Sequence, residues 1–266
     1  MANDTKEFTV PITGGEVPVI SFGKGEKIMV MIPGLRLSDI KGSARTAARF
    51  YSLFARDYRV YMIDRKDRIA EGCTIHDLAE DTYEVMKKLR LKDVYLFGVS
   101  QGGMISQDIA IHHPDMVKKM ALGVTLSRNN DTTREVLRIW KQLAEKDGLG
   151  AVAADYFSRA YSESYLKRYG KVVPLVLKTQ RLMPVDRFLI LSSSCLTCNT
   201  WEDLDRIRCP VLVLGGGKDR IVTGEASLEI AEKLNCPCFL YEDLSHEAYN
   251  EAKDFNQRIY DFFEAE

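Results

Sequence analysis

Apolar residues are spread along this 266-residue chain in two alternating patterns. Short apolar runs bounded by Gly, Pro or polar residues predict strands, and stripes at helical spacing predict helices. Residues 7–12 and 16–23 flank Gly14-Gly15 and predict an antiparallel hairpin. Residues 27–33 (KIMVMIP) form the first fully buried strand. Ala44, Ala47, Ala48, Tyr51, Phe54 and Ala55 then share one helical face, and residues 58–64 form a strand. Ile75, Leu78, Thr82, Val85, Met86 and Leu89 make the next helical stripe, with Thr74 as N-cap. Residues 94–100 form a strand, 101–113 a helix stopped by Pro114, and 118–125 a strand. This alternation predicts an α/β fold whose mostly parallel, doubly wound sheet carries helices on both faces.

The rhythm breaks at about Ser127. From there to Asp205 the pattern is helical only, with Val136, Ile139, Trp140 and Leu143 on one face and Pro174 and Pro184 as punctuation. Strand 210–217, helix 224–234 and strand 236–243 restore the alternation. A last helix is expected to align Ala248, Ala252, Phe255, Ile259 and Phe262. The predicted organisation is one α/β core, residues 1–126 and 206–266, interrupted by a helical insertion over 127–205.

Composition narrows the function classes. A formal net charge of −1, from 37 basic and 38 acidic side chains, gives no basic footprint for nucleic acid. No apolar run approaches the roughly 18 residues of a membrane-spanning helix, and the N-terminus does not read as a secretory signal. The expectation is a cytoplasmic protein with no membrane and no nucleic-acid partner. The six cysteines then read as reduced thiols. Cys195 and Cys198 form a C-x-x-C without a second pair, so they are expected to be small apolar residues on one helical face, and no metal site is predicted.

In parallel sheets, catalytic groups gather at the carboxyl ends of strands. Ser100 follows the strand 94–99 within Gly98-Val99-Ser100-Gln101-Gly102, a G-x-S-x-G between a strand and a helix. Such a turn presents a strained serine, and glycines on either side avoid clashes with neighbouring backbone. The alternative role for Ser100 is a helix N-cap. A serine hydroxyl needs an adjacent base. Of four histidines, His76 lies in a first helical turn, and His112 and His113 lie at a helix C-terminus. Only His246 follows a late strand. Asp219, just past the strand 210–216, is the favoured orienting carboxylate over Glu242 and Asp243. The backbone N–H groups of Gln101 and Leu35 are the candidate oxyanion donors, with Gly34 allowing close approach.

These residues resemble the α/β-hydrolase family. The resemblance rests on IPGL (32–35), GVSQGG (98–103), AIHHPDMVKKMAL (110–122), CPVLVLGGGKDRIV (209–222) and SHEAYNEAKDF (245–255). It implies a Ser100–His246–Asp219 triad, no cofactor, and a helical cap over 127–205 that roofs the pocket. Two departures stand out. Pro33-Gly34 replaces a common His-Gly pair, and the charged DRKDRIAEGCT (64–74) replaces a D-x-x-G-x-G-x-S stretch. Serine at the elbow, rather than aspartate, implies an acyl-enzyme and a small-molecule acyl substrate, here a small or medium carboxylic ester. An acyltransferase, a prolyl-type aminopeptidase, a C–C bond hydrolase and a non-catalytic ligand-binding protein are the alternatives. Trp140, Tyr156, Phe157, Tyr161, Tyr165 and Phe188 offer an aromatic lining, with Gly34, Trp140 and Tyr161 the expected substrate contacts.

Overall fold

The computed structural model describes residues 4–170 and 181–265. Its strands are β1 (Lys6–Ile12), β2 (Gly15–Phe22), β3 (Lys27–Ile32), β4 (Tyr58–Ile63), β5 (Val94–Val99), β6 (Val117–Gly123), β7 (Val211–Gly216) and β8 (Cys238–Tyr241). They form one sheet in the order β1-β2-β4-β3-β5-β6-β7-β8. β2 pairs antiparallel with both β1 and β4, and from β4 to β8 every neighbouring pair is parallel. The chain runs from β3 outward to β4 and returns to β5 on the other side. That reversal opens a crevice at the carboxyl ends of β3 and β5, where ligands bind in sheets of this type.

The helices are α1 (Ala44–Phe50), α2 (Ile75–Lys88), α3 (Gln101–His112), α4 (Asp131–Asp147), α5 (Leu149–Ala160), α6 (Glu163–Tyr169), α7 (Val185–Cys195), α8 (Gly224–Leu234), α9 (Ala248–Glu251) and α10 (Phe255–Glu264). Strand side chains alternate between two buried clusters. Val30 and Ile32 of β3 join Leu78, Ile105 and Ile230 from α2, α3 and α8. Met29 and Met31 face the other way and join Ala47 of α1 and Phe255, Ile259 and Phe263 of α10. Both faces are therefore covered, which is why β3 and β5 read as unbroken apolar runs. Burying one such side chain is worth about 1.5–3 kcal/mol. At the start of α2, Thr74 Oγ1 accepts from Asp77 N at 3.1 Å and the Asp77 carboxylate accepts from Thr74 N at 2.8 Å. This reciprocal cap fixes where the helix begins.

Between β6 and β7 the chain supplies α4 to α7. The two ends of this stretch meet: Arg128 and Asn199 form an isolated antiparallel bridge, and Thr200 N donates to Ser127 O at 2.7 Å.

Several sequence expectations need correction. The hairpin turn is Thr13-Gly14, since Gly15 already pairs with Ile12. α1 ends at Phe50, and turns carry the chain to Tyr58. The single last helix is two, because Ala252 is extended and separates α9 from α10. The buried positions of α10 are then Phe255, Ile259 and Phe263, with Phe262 only partly covered. β8 has four residues, shorter than 236–243. Cys195 closes α7 and Cys198 lies beyond it, so the two thiols do not share a helical face, although both are buried. Pro184 caps α7, and Pro174 lies outside the described residues. Among the described residues, no helix is long and apolar enough to cross a membrane.

Candidate active site

The turn from β5 into α3 forces Ser100 into φ 53°, ψ −119°, a conformation that costs energy for any residue with a Cβ. Surrounding bonds hold it there. Ser100 N donates to Gly123 O of β6 at 2.8 Å, and Thr125 Oγ1 donates to Ser100 O at 2.7 Å. The Ser100 hydroxyl accepts no bond from the first turn of α3, so it does not cap that helix. The turn closes tightly because α3 presses on β3: a Cβ at Gly102 would sit 2.0 Å from Ile32 O, and one at Gly98 would sit 2.3 Å from Gly102 O.

Asp219 and His246 reach the same point from the ends of β7 and β8. The Ser100 hydroxyl lies 3.0 Å from His246 Nε2, and His246 Nδ1 lies 2.7 Å from Asp219 Oδ2. The second Asp219 oxygen accepts from Ile221 N at 2.8 Å and Val222 N at 3.0 Å. With both oxygens occupied, the carboxylate is fixed in position. Both side chains are almost completely buried. Burial works to lower the His246 pKa. The charge and hydrogen bond of Asp219, aided by Glu247, outweigh it, and the result lies above the ordinary histidine value.

The N–H of Gln101 opens α3, ahead of the donors of Gly103 and Met104, which bond Ser100 O at 2.8 and 3.2 Å. Gly34 and Leu35 follow β3, and the Gly34 backbone lies directly against the serine: a Cβ there would be 3.2 Å from Ser100 Cβ. A cavity of about 30 Å³ adjoins Ser100 and His246, lined by Leu35, Met104, Leu137, Trp140, Tyr156 and Tyr249 among others. A larger one of about 280 Å³ shares Gly34, Leu35 and Tyr249 with it and extends past Ala47, Phe50 and Tyr51. Trp140 lines the smaller cavity. Tyr161 does not line either cavity. It stacks on Tyr165 with ring centres 4.3 Å apart, and Tyr156, earlier on α5, takes the place at the pocket.

Two buried charged residues escaped the sequence reading. Glu247 follows His246 and is buried; its carboxylate accepts from Tyr249 Oη at 2.9 Å, from Tyr156 Oη and from Asn250 Nδ2. Burial and the Glu247 charge push both phenols far above their ordinary pKa, so they remain donors. Arg65, in the charged loop after β4, is also buried and touches Gln101. Both sit in strongly polar segments that read as solvated, and nothing in the one-dimensional pattern marks them. The other histidines lie on the α2–α3 face, where His76 Nδ1 and His112 Nδ1 approach Asp108 Oδ1 at 2.9 and 3.1 Å.

Residues 26–253 match the family described as serine aminopeptidase, S33. The chain is 23% identical over 247 residues to the putative carbamate hydrolase RutD of Rhizobium rhizogenes, covering 86% of this chain and 91% of that one. It is 23% identical over 240 residues to the serine hydrolase BPHL of Mus musculus, covering 80% and 70%. Its fold is similar to that of MGS-M2, an α/β-hydrolase enzyme from a deep-sea metagenome library, with a TM-score of 0.83, 17% identity and 97% and 98% coverage. With the family matched along most of its length and the sheet and helices of that fold in place, this chain belongs to the α/β-hydrolase family.

Proposed function

We propose that the chain is a serine hydrolase that cleaves a small or medium carboxylic ester, or a related acyl compound, through an acyl-enzyme. The observation that carries this reading is the continuous contact from Ser100 Oγ through His246 to Asp219, with the serine on a strained turn. Ser100 Oγ attacks the carbonyl carbon while His246 Nε2 takes its proton. The backbone N–H groups of Leu35 and Gln101 hold the negative oxygen of the tetrahedral intermediate. His246 then protonates the leaving alcohol as the C–O bond breaks. In the second half it takes a proton from water, which attacks the acyl-enzyme, and passes that proton to Ser100 Oγ as the acyl–oxygen bond breaks and the acid leaves. Asp219 holds the imidazole in the tautomer with Nδ1 protonated and stabilises the imidazolium.

In this reading residues 127–205 are the cap on a core of 1–126 and 206–266. Leu137, Trp140 and Tyr156 of the pocket come from that stretch, and the contacts of Ser127 and Arg128 with residues 199 and 200 close it at its base. Gly34, Trp140 and Tyr156 contact the substrate, and the space beyond Tyr249 takes its longer limb. The carbamate hydrolase and serine hydrolase activities named for the two relatives are compatible with an acyl-enzyme. An aminopeptidase is less well supported. It needs an anionic group free to hold the substrate ammonium, and Glu247 is already engaged by three donors.

Short-chain p-nitrophenyl esters test the proposal. Wild-type turnover is expected to vanish in Ser100→Ala, and a fluorophosphonate probe is expected to label Ser100. Equal turnover by the two proteins would sink the reading.

A further inference from the structure

Arg65 stands two residues after β4 with 4% of its surface exposed. Burying a guanidinium is expensive unless it is paired, and a buried arginine kept for stability is ordinarily forked onto a carboxylate. Arg65 is not. Its neighbour Asp64 spends its oxygens on backbone N–H groups, Oδ2 on Ile40 at 2.9 Å and Oδ1 on Arg65 at 2.8 Å. The Arg65 side chain instead donates through Nη2 to Pro33 O at 2.6 Å and to Gln101 Oε1 at 2.9 Å. Nε and Nη1 have no partner among the described residues. The charge of adjacent Asp64 favours the guanidinium, and Arg36 and Arg187 oppose it. Burial thus makes the position costly, and its only side-chain bonds among the described residues run to Pro33 and Gln101, the segments proposed to carry the oxyanion donors.

We infer that Arg65 is the positioning residue of the oxyanion hole, tying the Pro33–Leu35 loop and Gln101 into one geometry through a single nitrogen. The inference rests on the serine-hydrolase reading. Pro33 C=O belongs to the peptide just before the Gly34–Leu35 peptide, so holding it anchors the entry to the loop one residue ahead of the Leu35 N–H. The Gln101 amide is clamped at both ends: its oxygen accepts from Arg65, and Nε2 donates to Leu191 O of α7 at 2.7 Å and to Ser194 Oγ at 3.1 Å. Its side chain therefore cannot rotate without breaking bonds on two sides, and the N–H that opens α3 is fixed with it. The same chain of bonds joins α7 to the oxyanion loop, so a displacement of that helix is transmitted to the donors.

The test compares wild type, Arg65→Met, Arg65→Lys and Ser100→Ala on p-nitrophenyl acetate, with inhibition by a trifluoromethyl ketone, whose adduct carries an oxyanion. Arg65→Met is expected to lower kcat by about 10- to 100-fold, the scale of a misplaced catalytic donor. KM is expected to stay within about threefold, and the ketone to lose affinity in step with kcat. Arg65→Lys keeps the charge but reaches only one of the two oxygens, and is expected to recover part of the loss. The acid limb of the pH profile is expected to stay in place in both variants, because the His246–Asp219 pair is untouched. Should Arg65→Met not fold, Arg65→Lys carries the test. If kcat depends on Ser100 yet every Arg65 variant that folds keeps kcat and ketone affinity within twofold of wild type, the inference is overturned and the hydrolase reading stands. Turnover that survives in Ser100→Ala overturns both.

Discussion

Asp219 holds His246 at 2.7 Å through one oxygen and is itself held by two backbone N–H groups of the following turn through the other. The carboxylate cannot swing away, so the imidazole has one orientation and one tautomer. Asp219→Asn preserves the shape but presents an amide that favours the wrong tautomer. We expect kcat to fall by about 10⁴-fold with the thermal unfolding temperature little changed. Steady-state kinetics beside a melting curve checks this, and a loss below tenfold would point to another orienting group.

In the proposed mechanism the His246 pKa sets the acid limb of activity. The base must be neutral, and its pKa lies above the ordinary 6.5 because Asp219 and Glu247 outweigh burial. The rate is therefore expected to fall as pH drops through a value above 6.5. Glu247→Gln removes one negative neighbour and should move this limb to lower pH. A kcat/KM profile of both proteins decides it; an unmoved limb would mean that the Glu247 charge does not reach the imidazole.

Stability should carry a second pH signature away from the site. The Asp108 hydrogen bond raises the His76 pKa above 6.5. A raised folded-state value contributes stability that is fully present below the unfolded pKa and is lost as pH rises through the folded one. Wild type should therefore exceed His76→Gln in melting temperature by more at about pH 5.5 than at about pH 8.5. A gap that is constant with pH would show that the pair does not titrate with folding.

The elbow leaves no room for a methyl group. In Gly102→Ala the new Cβ would meet the backbone oxygen of Ile32 at 2.0 Å, which no side-chain rotation can relieve. We expect a loss of about 3 kcal/mol or more, measured by urea unfolding, with activity lost in parallel.

The paired thiols should be inert. Burial pushes the Cys195 thiol up to about 11 and Cys198 higher still. At about pH 8 little thiolate is present, and access is closed. Thiol titration of the native protein should leave both unreacted until denaturant is added; rapid labelling of either would contradict the burial described.

The sheet and the three candidate site residues were legible because each depends on a local pattern. β3, β5, β6 and β7 are buried on both faces and so are written as short apolar runs, and the residues at the carboxyl end of each run are where chemistry is to be sought. Ser100, Asp219 and His246 emerged in this way. Arg65 and Glu247 did not, since a charged residue in a charged loop looks the same whether it faces water or is folded inward onto Pro33 or Tyr156. The choice of Tyr156 over Tyr161 depends on how α5 is rotated against the site, which its own residues leave open. The break at Ala252 was hidden because Ala248, Ala252 and Phe255 fit a continuous helical stripe.

Ser100 holds a positive φ of 53°. A glycine would adopt that conformation with far less strain, so the residue best suited to the backbone here is one that cannot perform the chemistry. Ser100→Gly should therefore be catalytically dead and yet melt at or above the wild-type temperature. Selection for thermal endurance alone would replace Ser100 with glycine, and the serine marks the turn as a place where the fold has been kept away from its own optimum.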